Sequence, residues 1–178
     1  MKFTIVTGNL GKIAEFKRLL PASIAFDHEA IDLPEIQTLD VHAIIDAKAR
    51  AAYAELRRPV VVEDVTAGLD NLGGLPGPFI KFFEQQLGFD ALYQLRGETP
   101  ATVTCTIGYF DGQNLITAHA VVRGMAVAER GTAGFGFDRC FQPSGQPKTY
   151  GEMTVVEKDA VSHRSLAIRD LLEQLNHL

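Results

Sequence analysis

The chain has 178 residues, 46% of them hydrophobic, which is enough for one sizeable core and too short for two ordinary domains, so a single domain over 1–178 is expected. The formal charge of -5 comes with no lysine or arginine run, and this excludes sequence-independent nucleic-acid binding, where counterion release needs a basic face. No apolar run approaches the about 18 residues of a membrane span, and no charged leader precedes an apolar segment; a cytoplasmic protein without a membrane partner is expected.

Phe3-Thr4-Ile5-Val6 reads as the first strand, followed by the turn Thr7-Gly8-Asn9-Leu10-Gly11-Lys12. Ile13, Phe16, Leu19 and Leu20 recur at helical spacing, so residues 10–20 form a core-facing helix ended by Pro21. Residues 23–29 read as a short strand and Ile31 to Glu35 as extended, because the residue before Pro34 is pushed out of the helical region. Val41, Ile44, Ile45, Ala49, Ala52, Tyr53 and Leu56 mark a second amphipathic helix over 40–56. Pro59-Val60-Val61-Val62-Glu63-Asp64 is a β-branched run stopping at two acids, the pattern of a buried strand that delivers carboxylates at its carboxyl end.

A rigid glycine and proline loop, 73–78, precedes an apolar helix carrying Phe79, Ile80, Phe82, Phe83 and Leu87, and Asp90 to Leu95 reads as packing. Residues 101–111 and 114–123 alternate as two strands joined through Asp111-Gly112, with a third strand around Met125 to Ala128. The segment 131–151 is long for a mere connection and too aromatic for disorder, which points to function. Leu166, Ile168, Leu171, Leu172 and Leu175 mark a last helix with Ser162-His163-Arg164 at its start. Cys105 and Cys140 lack disulfide or metal spacing and are expected to be free thiols. His28, His42, His119 and His177 have no ligand spacing and are expected at the surface or in hairpins.

Two chemical features stand out, each with two readings. The turn Thr7 to Lys12 can hold an anion with backbone amides and the Lys12 ammonium, although it lacks the spacing of a P-loop or a dinucleotide motif; it can equally be a plain helix entry. Glu35 and Asp64 leave separate extended segments, and two hard oxygen ligands joined by phosphate oxygens suit Mg²⁺. Alternatively, Glu35 caps the helix beginning near Asp40 or is solvated, and Asp64 merely ends a strand. Lys12, Lys48, Lys81, Lys158, His163 and Arg164 are spread over four elements, and periodicity does not bring them together.

Thr7-Gly8-Asn9-Leu10-Gly11-Lys12 with Glu15, Leu33-Pro34-Glu35, Val62-Glu63-Asp64, Gly73-Gly74-Leu75-Pro76-Gly77-Pro78-Phe79-Ile80-Lys81, Phe135-Gly136-Phe137-Asp138 and Glu157-Lys158 with Ser162-His163-Arg164 resemble, in order and spacing, the inosine triphosphate pyrophosphatases. The resemblance implies an α/β fold: an elongated central mixed sheet flanked by helices, two lobes with a nucleotide cleft between them, and a homodimer. It implies hydrolysis of ITP, dITP and XTP to the monophosphate and pyrophosphate, with Mg²⁺ as cofactor or Mn²⁺ in its place. Thr7, Gly8, Asn9, Leu10, Gly11 and Lys12 are then the triphosphate wall, with Asn9 and Lys12 as side-chain contacts and Lys48 adding charge. Glu35 and Asp64 hold the metal, Asp64 is the catalytic base, and Val65 and Lys81 face substrate. Phe135, Gly136, Phe137 and Asp138 form the base pocket, completed by Lys158, His163 and Arg164.

Donors such as Arg164 or backbone amides pair with the 6-oxo group of hypoxanthine and xanthine and are left unpaired by adenine. Guanine shares that 6-oxo group, so its exclusion falls to its 2-amino group. The chain departs from the family at two places. Val65 stands where a serine or threonine is common, with Thr66 next to it, and Arg139 stands in place of a proline, which is expected to loosen that turn and add a charge near the base pocket. Both departures keep open a pyrophosphatase of different base preference, for modified or damaged nucleotides. A nucleotide-binding protein that does not hydrolyse is the remaining alternative.

Overall fold

The computed structural model describes residues 2–176, so His177 lies outside the described residues. A seven-stranded mixed sheet flanked by helices runs in the order β2-β1-β3-β5-β6-β7, with β4 paired to β3. Its strands are β1 (Lys2–Val6), β2 (Ala25–Glu29), β3 (Val60–Leu69), β4 (Pro76–Gly77), β5 (Thr99–Phe110), β6 (Leu115–Ala126) and β7 (Phe141–Pro143). The helices are α1 (Leu10–Leu19), α2 (Val41–Leu56), α3 (Ile80–Leu87), α4 (Ala91–Arg96), α5 (Val155–Val161) and α6 (His163–Leu175). The chain forms two compact units: one comprises the chain up to Asp64, Cys105–Ala120 and the chain from Leu166, and the other is Val65–Thr104 with Val121–Ser165.

In the first unit, β1 pairs parallel with both β2 and β3, the arrangement that helical crossovers such as α1 and α2 permit. Val6, Val60, Val62 and Phe110 pack on Ile45, Ala49 and Ala52 of α2, with Leu33, Tyr53 and Leu56 at the margin. The start of α2 is fixed by Asp40, whose Oδ1 accepts from the amides of His42 (3.0 Å) and Ala43 (3.2 Å). That removes the alternative of Glu35 as the helix cap.

β3 does not stop at Glu63-Asp64 as the sequence suggests. Its register with β1 ends at Ile5–Val61, but the strand continues to Leu69 and pairs antiparallel with β4 at Ala67–Gly77 and Gly68–Pro76. Ala67, Gly68 and Leu69 are buried, so the chain beyond the acids has its own core to enter. Asp64 is therefore interior to a strand, at a point where the β1 partner has run out. Gly68 is required here because a Cβ would fall on the Gly74 carbonyl.

In the second unit, Leu69, Leu92, Val103, Phe141 and Tyr150 are buried in one core with Val65, Phe83 and Val161 packed against it. The β5–β6 hairpin turns where expected: Asp111 Oδ1 accepts from the amides of Gln113 (2.8 Å) and Asn114 (2.7 Å), and these backbone bonds hold the Asp111 carboxyl below its ordinary range. Met125 and Ala126 continue β6 instead of forming a third strand, because β7 pairs with them at Met125–Gln142 and Ala126–Phe141. The segment 131–151 is ordered by β7 and by 3₁₀ turns at Gly136–Cys140 and Tyr150–Glu152. α5 was not separable from α6 by periodicity; Ser162, extended at φ -77° and ψ 148°, divides them.

α5 begins with a capping box between Thr154 and Glu157, and the Glu157 carboxylate also accepts from Lys148 Nζ at 2.7 Å. Lys148 and Glu157 thus pair at the surface, with side chains 43% and 45% exposed. The lysine bond, followed by the Thr154 amide, lowers the Glu157 carboxyl from its ordinary 4.5 to about 2. A depressed folded value means that its stabilisation is present above pH 4.5 and is lost as pH falls towards about 2. The Tm difference between wild type and Glu157→Gln is therefore expected to be constant above that window and to vanish through it. A gap unchanged down to the acid end would exclude the linkage.

Candidate functional site

In the first unit the turn after β1 is built by its own side chains. Asn9 caps α1: its Oδ1 accepts from the Lys12 amide at 3.0 Å, and its amide donates to Thr7 Oγ1 at 3.2 Å. Leu10 and Gly11 are already helical, so Gly11 is in the first turn of α1, where amides have no intrahelical acceptor. Leu10 is 77% exposed, and a Cβ on Gly8 would meet no protein atom within 4 Å. Protein packing does not demand a glycine at position 8. The space beside it is open.

The charged groups converge from separate elements. Lys12 on α1 reaches the buried Glu63 on β3 at 3.5 Å. Lys48 on α2 donates to Glu35 Oε1 at 2.9 Å and to Asp64 Oδ1 at 3.0 Å, with its own side chain only 12% exposed. Burial works against the ammonium, but Asp64 and then Glu35 outweigh it, and the Lys48 pKa is raised. Glu35 and Asp64 therefore share one ammonium, Glu35 with its side chain still 40% exposed and Asp64 with 15%.

In the second unit the centre is a buried ion pair. Lys158 on α5 donates to Asp138 Oδ2 at 2.7 Å, with side chains 8% and 4% exposed, and the same oxygen accepts from the Phe135 amide at 2.8 Å. Gly134 makes this approach possible: at φ +79°, its Cβ would fall on the Asp138 carboxylate. The Phe135 ring receives two cations, Lys158 Nζ at 5.2 Å and Arg164 Cζ at 5.5 Å from its centroid. His163 lies between Phe137 and Tyr150, at 5.7 and 5.8 Å between ring centroids. Gly136, at φ +58°, opens the 3₁₀ turn that carries Phe137 and Asp138.

Val65 packs against the second core, and Thr66, pointing to the opposite face of β3, does not take its place. Lys81 is exposed in the first turn of α3. Arg139 does not loosen its turn as expected: Nη1 donates to Glu129 at 2.8 Å and Nη2 to the Thr132 carbonyl at 3.1 Å, so the guanidinium braces the segment leading to Phe135. Glu152 is used locally, accepting from the Thr149 amide at 2.8 Å. Cys105 and Cys140 are buried thiols outside any disulfide; burial first, then Asp90 and Glu129, push the Cys140 thiol up to about 12.

His42 and His119 are exposed, their rings 5.9 Å apart. His28 is not a plain surface residue. It is part-buried on β2 with Nε2 2.8 Å from the Thr7 carbonyl, a link across 21 residues that no local pattern signals.

The Ham1 family model matches residues 3–174. The chain belongs to the Ham1 family. It is similar to the inosine triphosphate pyrophosphatase of Schizosaccharomyces pombe, 38% identical over 176 residues, covering 94% of this chain and 93% of that protein. The inosine triphosphate pyrophosphatase of Neurospora crassa is also 38% identical, over 173 residues, covering 94% of this chain and 89% of its own. Among solved structures, a HAM1 protein from Coxiella burnetii aligns with a TM-score of 0.83 at 25% identity, covering 100% of both chains. A nucleoside-triphosphatase / dITP/XTP pyrophosphatase from Mycobacterium abscessus aligns with a TM-score of 0.70 at 26% identity, covering 97% of this Ham1-family chain and 99% of its own. Among the described residues of this Ham1-family chain, no helix is long and apolar enough to cross a membrane.

Proposed function

We propose that this chain is a nucleoside triphosphate pyrophosphatase that hydrolyses ITP, dITP and XTP to the monophosphate and pyrophosphate, clearing non-standard purine nucleotides from the pool. The observation that carries the reading is the meeting of Glu35 and Asp64 on one cation position, held by Lys48 at 2.9 and 3.0 Å. It stands in a chain 38% identical to a curated inosine triphosphate pyrophosphatase.

The donor set fits a hard divalent cation. Both groups are carboxylates, and among the described residues no cluster of three or more His, Cys, Asp or Glu forms a complete cage. Mg²⁺ characteristically takes one or two carboxylates and leaves the remaining positions to water and substrate phosphate, and Mn²⁺ accepts the same oxygens. When bound, the metal supplies charge neutralisation at the reacting phosphates. Glu35 and Asp64 would hold it.

In the proposed reaction, Asp64 orients a water molecule and accepts its proton, the water oxygen bonds to phosphorus, and the α–β bridging bond breaks so that pyrophosphate departs. Thr7, Gly8, Asn9, Leu10, Gly11 and Lys12 bind the triphosphate through the amides at the start of α1 and the Lys12 ammonium, and Lys48 adds charge there. The open space at Gly8 supports this, since it lets an anion approach the backbone. Phe135, Gly136 and Phe137 take the base, with the Phe135 ring as a stacking face; Asp138 holds the Phe135 amide, Lys158 and Arg164 lie against that ring and supply donors for a 6-oxo group, and His163 completes the pocket from between Phe137 and Tyr150. Lys81 and Val65 are further substrate contacts on the strength of the resemblance.

Residues 1–178 are proposed to act as one functional domain, in the cytoplasm and as a homodimer. Incubation with ITP and magnesium should give inosine monophosphate and pyrophosphate in equal amounts. Orthophosphate released from the γ position would overturn the cleavage site, and tight binding without products would favour a sensor.

Val65 favours a second reading of the same site. An apolar side chain where a hydroxyl is common alters what the substrate meets, so a modified or damaged base is the alternative substrate. The ratios of kcat/KM across a nucleotide panel separate the two.

A further inference from the structure

We propose that His28 is a positioning residue for the triphosphate turn, acting through the peptide bond between Thr7 and Gly8; this rests on the reading of Thr7 to Lys12 as the triphosphate wall. β2 runs parallel to β1 with Ile5 beside His28 and Val6 beside Glu29, so β2 ends where the turn begins. The Thr7 amide donates to the Glu29 carbonyl at 3.0 Å. His28 Nε2 lies 2.8 Å from the Thr7 carbonyl. A carbonyl oxygen only accepts, so Nε2 carries the proton and donates it.

Two bonds therefore hold Thr7 on both sides, through its N–H and through its C=O. The second has the larger reach. In a trans peptide the carbonyl of one residue and the N–H of the next point in opposite directions from one rigid plane. Fixing the Thr7 oxygen towards β2 directs the Gly8 N–H away from β2.

Without that anchor the plane is spanned by the exposed 3.2 Å bond from the Asn9 amide to Thr7 Oγ1, which leaves the Thr7 carbonyl itself unfixed. Gly8 has no Cβ, the place a Cβ would occupy meets no atom within 4 Å beyond its chain neighbours, and glycine permits a peptide flip that other residues resist. His28 thus replaces, by a long-range hydrogen bond, the steric restraint that a side chain at position 8 would otherwise impose. The role follows from the joint presence of an unhindered glycine and a donor on the adjacent strand.

The test uses the whole protein with ITP and magnesium. His28→Phe keeps a ring but removes the donor. KM for ITP and the inhibition constant for pyrophosphate are both expected to rise about fivefold, the effect of one neutral hydrogen bond, with kcat changed less than twofold. His28→Gln returns an N–H donor and is expected to recover most of both constants. Wild-type constants in His28→Phe, even with a lowered Tm, would overturn the proposal.

NMR of the wild type supplies a reading independent of whether the variants fold. On titration with pyrophosphate, the Gly8 amide is expected to shift together with those of Leu10 and Gly11. Shifts at Leu10 and Gly11 but not at Gly8 would refute the role of His28 and leave the turn as the phosphate site. No shift at any of the three, with Asn9→Ala and Lys12→Ala kinetically silent, would refute the turn itself.

Discussion

Asp64→Asn is expected to reduce turnover by about a thousandfold, the scale of a lost general base, while the protein stays folded. The substitution removes a charge that the proposed metal site needs and a base that the attacking water needs. It changes little else. Asparagine keeps a carbonyl oxygen within reach of Lys48, whose bond to Asp64 is 3.0 Å, and keeps the shape of a strand residue that is not part of either core. Initial rates of pyrophosphate release, read beside a thermal melt, check both halves of the expectation. Rates near wild type would remove Asp64 from the mechanism.

The largest expected effect on stability lies elsewhere, at Asp138. Asp138→Ala leaves the Lys158 ammonium, buried with 6% of the residue exposed, without this carboxylate and takes the acceptor from the Phe135 amide. Breaking a buried pair by removing one partner costs about 3–5 kcal/mol, a large share of the roughly 5–15 kcal/mol that holds a domain together. For a chain of this length, Tm should fall by on the order of 10 °C.

A second variant shows which cause operates. Combining Asp138→Ala with Lys158→Met removes the buried ammonium as well, and part of the loss should return, because an apolar replacement of a whole buried pair is often nearly neutral. The Phe135 amide remains without its acceptor in both variants, so recovery is incomplete. A single variant within about 1 kcal/mol of wild type would show that the pair is solvated in solution.

The elements set by local repetition were legible in the sequence. Helices α1 and α2 follow from apolar residues at 3.6-residue spacing, and the Asp111-Gly112 hairpin from a turn whose own side chain caps it. Elements made by partners were not. β7 is three residues long and exists because β6 extends to receive it, and β3 passes its acids because β4 and a second core await it.

The site divides in the same way. The residue types proposed to carry the chemistry were visible, but their geometry joins Lys48 to acids 13 and 16 positions away, Lys158 to one 20 positions away and His28 to a carbonyl 21 away. Arg139 illustrates the limit well. Its departure from proline suggested looseness, whereas contacts with Glu129 and Thr132 make it a brace.

Lys48, set between Glu35 and Asp64, bears on when the proposed metal site is assembled. Two carboxylates brought to one point repel each other, and a protein lacking a counter-ion there would separate them until a divalent ion arrived. With its own ammonium in place, this chain meets that repulsion during folding. Entry of the proposed metal would then exchange one cation for another between carboxylates already brought together, and would release Lys48 for the phosphates it is proposed to bind.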